Sequence, residues 1–253
     1  MSKQDEDAAA ALVRRAGEQL DDDHWMLVGG TKSLAGRLGR ATEQRVFDTE
    51  YGGHSPEVMA SEYGPYDDRS IHVVIVDAEG PVAAGRVVWS PTLDLPTKLE
   101  TDLGFLDGRL REYHQFQDRY GTEQFSEKAT AVVERRARAT SVTGWLLGEL
   151  RYQQMCLNED APYCAMLDVR FRRMLAQWGT DFEPALGLEP FEYLNQLCQP
   201  MFFYPSINPR FRESRIYRKL SVGWFDRVSR PLSEGSFLVD IRDSIEELTP
   251  STI

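Results

Sequence analysis

From Ile71 to Val76 every residue except His72 is β-branched, and a second apolar run, Val82–Trp89, follows after Asp77-Ala78-Glu79-Gly80. Two compact runs of this kind around a short polar turn predict an antiparallel hairpin. Gly85 lies inside the second strand, where a glycine marks a bulge or a close backbone approach. Upstream, residues 7–20 predict a helix with Leu12, Val13, Ala16 and Leu20 on one side. Gly29-Gly30 then breaks the chain. Residues 41–50 predict a second helix ended by Gly52-Gly53, and Ser55–Ser70, punctuated by Pro56, Gly64 and Pro65, reads as loop. Downstream, residues 90–127 are irregular, with helix expected near 106–119. Ala129–Ala137 predicts a strand. Thr140 or Ser141 is placed to cap a helix running to about Asn158. Ala165–Val169 predicts a short strand. Arg170–Trp178 predicts a helix with Phe171, Met174, Leu175 and Trp178 on one face, stopped by Gly179. The aromatic-rich stretch 181–205 should give one or two closing strands.

From residue 40 the order is therefore helix, hairpin, strand, helix, strand, helix, strand. This predicts an α/β (α+β) chain, a mixed central sheet flanked by helices. One main domain is expected at 41–220, between an N-terminal helical extension (1–40) and a C-terminal appendage (221–253) with an acidic end.

Composition narrows the class. With 42% hydrophobic and 27% charged residues the chain can build a sizeable core. No apolar run approaches the roughly 20 residues of a membrane helix, so no membrane span is expected. The N-terminus is acidic and then amphipathic, unlike a secretory signal. Cys156, Cys164 and Cys198 are odd in number, unevenly spaced and without a CxxC pair, which predicts free thiols in a reducing cytoplasm. His24, His54, His72 and His114 show no ligand spacing, so no metal is expected.

The net charge of −11 disfavours nucleic acid as a partner. The charge is uneven, however: residues 131–220 net about +2 and the remainder about −13. A basic surface on an acidic body suits an anionic ligand or an acidic protein. The arginines concentrate where a strand is expected to lead into a helix. Arg135, Arg136 and Arg138 precede the loop 139–143, and Thr143 and Gly144 open the helix. Unpaired N–H groups at a helix N-terminus attract anions, so a pyrophosphate or phosphopantetheine phosphate would fit. Ordinary surface arginines are the alternative.

Several residues, in this order, resemble the GNAT acyltransferase superfamily, and within it the branch of acyl-homoserine-lactone synthases and long-chain N-acyl amino acid synthases. Arg45-Val46-Phe47-Asp48 with Glu50-Tyr51-Gly52 is similar to that branch's helix-borne segment. Glu62-Tyr63-Gly64-Pro65-Tyr66-Asp67 stands in place of its D-x-Y-D. Gly85-Arg86-Val87-Val88 resembles the end of its hairpin strand. Val133-Glu134-Arg135-Arg136 resembles its glutamate- and arginine-bearing strand motif, and Phe171-Arg172-Arg173-Met174-Leu175, with Gly179 and Gly187 after it, its last helix and exit. Gly64 at the place of the first aspartate, and Glu43 at the strict spacing of the helix arginine, count against lactone formation from S-adenosylmethionine.

The resemblance implies an N-acyltransferase of the GNAT type. Its donor is an acyl-CoA or acyl carrier protein thioester, its acceptor the amine of an amino acid or similar small molecule, and a medium or long acyl chain is expected. The pantetheine arm would enter between two splayed parallel strands near 131–137 and 165–169. Glu134 is the candidate base, with a salt bridge to a neighbouring arginine as its alternative. Asp67 and Arg86 would organise the acceptor, or brace the N-terminal lobe as a structural pair. Trp89, Trp145, Phe202 and Phe203 would line an acyl tunnel, or are simply core. Two other readings stay open: a short-chain acetyltransferase, and a non-catalytic module that binds an acyl ligand or partner.

Overall fold

The structure is a computed structural model. It describes residues 11–203 apart from 16, 53, 105–109, 112–114, 116–117, 120, 139, 158–161, 178–181, 186–187 and 194–195. The expected C-terminal appendage, Gly179, Gly187 and most of the helix expected near 106–119 lie outside the described residues. Contacts divide the chain into two units. The first takes the residues up to Arg86 together with Thr130–Leu150, and the second takes Val87–Ala129 and the residues from Arg151 on.

Strands β1 (Glu18–Gln19), β2 (Trp25–Gly30), β3 (Ser70–Asp77) and β4 (Gly80–Ser90) follow one another in sequence and in the sheet. The predicted hairpin is β3–β4. Its turn is held by Asp77, whose Oδ1 accepts from the N–H groups of Glu79 (2.8 Å) and Gly80 (3.0 Å), and Gly80 takes the positive φ of 130° that glycine tolerates. β2 corrects the reading of Gly29-Gly30 as a break. Its register with β3 runs antiparallel from Trp25↔Val76 to Gly30↔Ile71, so both glycines are paired strand residues. The expected first helix ends earlier: residues 11–15 are helical, and Glu18–Gln19 pair with Met26 and Trp25.

Helix α1 (Leu34–Tyr51) starts at Ser33, whose Oγ accepts from the N–H of Gly36 at 3.2 Å, and stops at Gly52, φ 72°. Leu34, Ala35 and Leu38 on its inner face pack with Val13, Leu27, Val74 and Val76. A second helix, α2 (Pro56–Tyr63), replaces part of the expected loop. Ser55 caps it and Pro56 occupies its first turn, where the missing N–H costs nothing.

In the second unit α3 (Lys98–Asp102) carries a complete capping box between Thr97 and Glu100. Strands β5 (Phe125–Val133), β6 (Tyr163–Asp168), β7 (Glu183–Pro184), β8 (Phe191–Tyr193) and β9 (Gln196–Phe203) complete a nine-stranded mixed sheet ordered β1-β2-β3-β4-β5-β6-β9-β7, with β8 on β9. β5 begins earlier than the sequence predicted and gives way to a 3-10 turn at Arg135–Ala137. Three closing strands stand where one or two were expected. α4 (Val142–Leu157) and α5 (Val169–Gln177) complete the helices. Asp168 caps α5, its Oδ1 accepting from the N–H groups of Arg170 and Phe171. No helix among the described residues is long and apolar enough to cross a membrane.

Gly85 marks a close approach, made by side chains of α4. A Cβ there would stand 2.7 Å from Leu150 Cδ1 and 3.2 Å from Leu146 Cδ1. Because the obstacle is the end of a leucine, Gly85→Ala is expected to cost about 1–3 kcal/mol rather than abolish folding. Urea unfolding should show a lower midpoint at unchanged slope.

Candidate active site

The arginines before α4 are largely committed to carboxylates. Arg136 pairs with Asp77, with Glu134 (3.1 Å) and with Glu79 (3.5 Å). Burial opposes the charge on Asp77, yet hydrogen bonds from Arg136 and the turn N–H groups hold its carboxyl below the ordinary value. Arg138 donates to the Val133 carbonyl at 2.9 Å and pairs with Glu50 at 3.1 Å. Arg135 is 83% exposed and only 3.6 Å from Glu50, the loosest of the three. Thr140 braces the start of α4: its Oγ1 donates to the Ala137 carbonyl at 2.7 Å and accepts from the N–H of Val142 at 3.3 Å. Thr143 is half-buried and Gly144 buried.

Glu134 has both oxygens engaged. Oε1 accepts from Arg45 Nε (3.1 Å) and Nη2 (2.9 Å), and Oε2 from Arg136 Nε (3.1 Å). Arg86 is 1% exposed and donates to Glu43 Oε2 at 2.8 Å, while its guanidinium lies 4.6 Å over the Tyr63 ring. Glu43, itself fully buried, also accepts from Thr130. Asp67 pairs with Arg40 at 2.9 Å and stands 3.6 Å from Arg86. Burial, then Arg86 and Arg40, push the nearby His72 well below its ordinary pKa, so it is neutral. Trp145 packs against the His24 ring at 5.4 Å, and Trp89 is half-buried.

The second unit holds a short parallel pairing of the kind that the resemblance implied, and beside it a buried carboxylate that the sequence reading missed. β5 and β6 are parallel neighbours, but their register holds only two pairs, Ser126↔Tyr163 and Glu127↔Cys164. β6 continues to Asp168, paired throughout with β9, and β5 continues past Lys128 and Ala129. Parallel neighbours normally keep evenly spaced bonds along their length, so the edges that β5 and β6 turn toward each other lose this pairing just past Glu127 and Cys164.

At that point stands Glu127, 3% exposed. Its Oε2 accepts from the N–H of Leu99, in the first turn of α3, at 2.8 Å. Burial pushes its pKa up to about 7, with Asp102 and Glu100 adding to the rise and the Leu99 N–H and Lys98 opposing it. A carboxyl that titrates near neutrality suits general-base work. Phe125, Leu99, Leu110, Cys164 and Phe202 pack together on this side, with Leu103 and Met166 beside them. Burial and the same carboxylates raise the Cys164 thiol well above its ordinary range, so it is protonated and inert. The Phe203 ring is taken up by Tyr163, 4.8 Å away. Only the charged pair Glu127-Lys128, standing directly before Ala129-Thr130-Ala131-Val132-Val133, hinted at this site.

No protein-family model and no curated protein matches the sequence. Solved structures do match. The CoA-dependent acyl-homoserine lactone synthase BjaI, solved with SAM and isopentyl-CoA, shares 15% identity at a TM-score of 0.51, over 81% of this chain and 90% of that one. The AHL synthase LasI shares 10% identity at a TM-score of 0.51, over 74% of this chain and 92% of that one. The chain therefore has the GNAT acyl-CoA N-acyltransferase fold and resembles the acyl-homoserine-lactone synthase branch in its architecture.

Proposed function

We propose that this chain is an N-acyltransferase that moves an acyl group from a CoA thioester to the amine of a small molecule. The observation that carries the reading is the two-pair ladder between β5 and β6. Past Glu127, Lys128 and Ala129 have no ladder partner in β6, and the amides of a pantetheine arm would run alongside them as a substitute strand. That placement brings the thioester carbonyl to Glu127.

Glu127, rather than Glu134, is assigned as the base. Its pKa near 7 lets it accept a proton at neutral pH, whereas Glu134 is occupied by two arginines. The carboxylate takes a proton from the acceptor's ammonium. The freed amine nitrogen attacks the thioester carbon, the C–S bond breaks, and the thiolate leaves with a proton. Alignment and main-chain polarisation of the carbonyl supply the remaining acceleration.

In the first unit, Arg135, Thr143 and Gly144 remain the proposed phosphate contacts, with Arg136 and Arg138 holding the local carboxylates. Asp67 and Arg86 are assigned to bracing, since Glu43 and Arg40 already occupy them. The finer proposal is an acyl chain of medium or long length and an amino acid or similar acceptor; a carrier protein is the alternative donor. The test is thiol release from acyl-CoA and acyl carrier protein thioesters of two to fourteen carbons with a panel of amines. Release above background that depends on an added amine is expected. Background rates across the whole panel would refute the reading.

A further inference from the structure

The face of β5 opposite Glu127 carries a lysine at the place where the ladder ends. Lys128 is the first β5 residue past the last β5–β6 pair. Side chains alternate along a strand, so Ser126 and Lys128 share that face, and so does Tyr163, the ladder partner of Ser126 in β6. Lys128 is half-buried, and its Nζ lies 4.7 Å from the centroid of the Tyr163 ring. The amine is thus held against a side chain of the neighbouring strand, beside the last pairs of the ladder. On the same face Ser126 Oγ accepts from Gln154 Nε2 at 3.0 Å, while Gln154 Oε1 is buried without a hydrogen-bond partner among the described residues. That oxygen leaves an acceptor for a polar group of a ligand.

Among the described residues the contact of the Lys128 amine is this ring, and no carboxylate pairs with it. Loss of water around the ammonium, and then the Arg151 charge, lower its pKa to about 7. A lysine in this range is in good part unprotonated at neutral pH, and its nitrogen lone pair is open to an electrophile. The acyl-transfer reading places one beside it. With the pantetheine amides along Lys128 and Ala129, the thioester carbon comes to the end of the ladder, at the residue before Lys128.

We propose that Lys128 Nζ is an acylation site of the chain itself, taking the acyl group from a CoA thioester seated along β5 when no amine acceptor is present. This goes beyond transfer to a small molecule and rests on that reading for the place of the donor. The unprotonated nitrogen attacks the thioester carbon, a C–N bond forms and the C–S bond breaks. The nitrogen gives up a proton to the departing thiolate, so the products are an Nε-acyl-lysine and free CoA thiol. The amide is neutral, and acylation therefore removes from this face a charge that its surroundings disfavour. An amide is also far less readily attacked than the thioester, so the adduct is an end state rather than an intermediate of transfer.

Mass spectrometry of the full chain incubated with acetyl-CoA, and separately with octanoyl-CoA, in the absence of added amine tests this. With at least one of the two donors a single acyl increment per chain is expected. Peptide mapping should place it on Lys128, about tenfold or more over Lys3, Lys32, Lys98 or Lys219. Its rate should rise about ninefold from pH 6 to pH 8 and then level, because the amine loses its proton near 7, whereas an ordinary lysine gains about tenfold per pH unit over the whole range. An excess of desulfo-CoA should suppress the reaction at Lys128. Lys128→Arg keeps a cation but offers no such nucleophile and should lose the increment; if it does not fold, Lys128→Gln takes its place. No increment with either donor, an increment spread evenly over the lysines, or one on Lys128 that desulfo-CoA leaves unchanged overturns the proposal. Amine-dependent thiol release is scored separately in the same preparations. Release without the Lys128 adduct would sink this site and leave the transfer reading, and the adduct without release the reverse.

Discussion

Glu127→Gln is expected to lower kcat by about a hundredfold to a thousandfold, with donor affinity nearly unchanged. Glutamine keeps the acceptor for the Leu99 N–H, so the local hydrogen bond survives, but it cannot take a proton. In the unaltered protein kcat/KM should rise as pH increases through about 7, where Glu127 loses its proton. The variant should lack that limb. Stability should move the opposite way. The folded-state pKa lies above the ordinary 4.5, so between about pH 4.5 and 7 the folded protein keeps a proton that the unfolded chain has released. Stability is then full below about pH 4.5, falls by about 3 kcal/mol as pH rises to 7, and is level above it. Glu127→Gln removes this decline and should be the more stable protein at pH 8, the trade-off expected of a catalytic group held in an unfavourable setting. Glu134→Ala is the control: it leaves Arg45 and Arg136 half-exposed and should change the rate less than about threefold. Urea melts and initial rates at pH 5, 7 and 8 measure both effects.

Arg111→Met is expected to destabilise the fold by about 3–5 kcal/mol. Arg111 is 2% exposed and grips fully buried Glu100 in two parallel bonds of 2.9 Å. It also donates to the carbonyls of Thr92 (3.1 Å) and Glu123 (2.7 Å) and to Ser90. Removing it strands a buried carboxylate and several acceptors, the costliest kind of loss. Adding Glu100→Leu should return a large part of the stability, because the uncompensated charge disappears with its partner. If the double variant is as unstable as the single one, the cost lies in Arg111's carbonyl contacts instead. The melting temperature and urea midpoint of the two variants separate these outcomes.

The hairpin was legible because β-branched residues and a turn say the same thing twice. β2 was not, because two glycines conceal a strand whose pairing comes from the distant β3. Ser55-Pro56 reads as loop punctuation by composition but is a helix start by position, and only the Ser55 cap distinguishes the two. The candidate base was hidden for a physical reason. A glutamate and a lysine inside a strand violate the apolar pattern, and such violations concentrate at functional positions. Glu134, by contrast, drew attention through a familiar motif, yet its surroundings are those of an ion pair. Sequence spacing also could not reveal that the β5–β6 ladder is short, since that depends on two segments 30-odd residues apart meeting at Glu127 and Cys164.

A crystal structure with a non-hydrolysable acyl-CoA analogue tests the central claim most directly. The pantetheine amides should hydrogen-bond the main chain of Lys128 and Ala129 in β5, with the thioester position beside the Glu127 carboxylate. A β5–β6 ladder closed along its whole length, or a CoA bound away from that edge, would contradict the account.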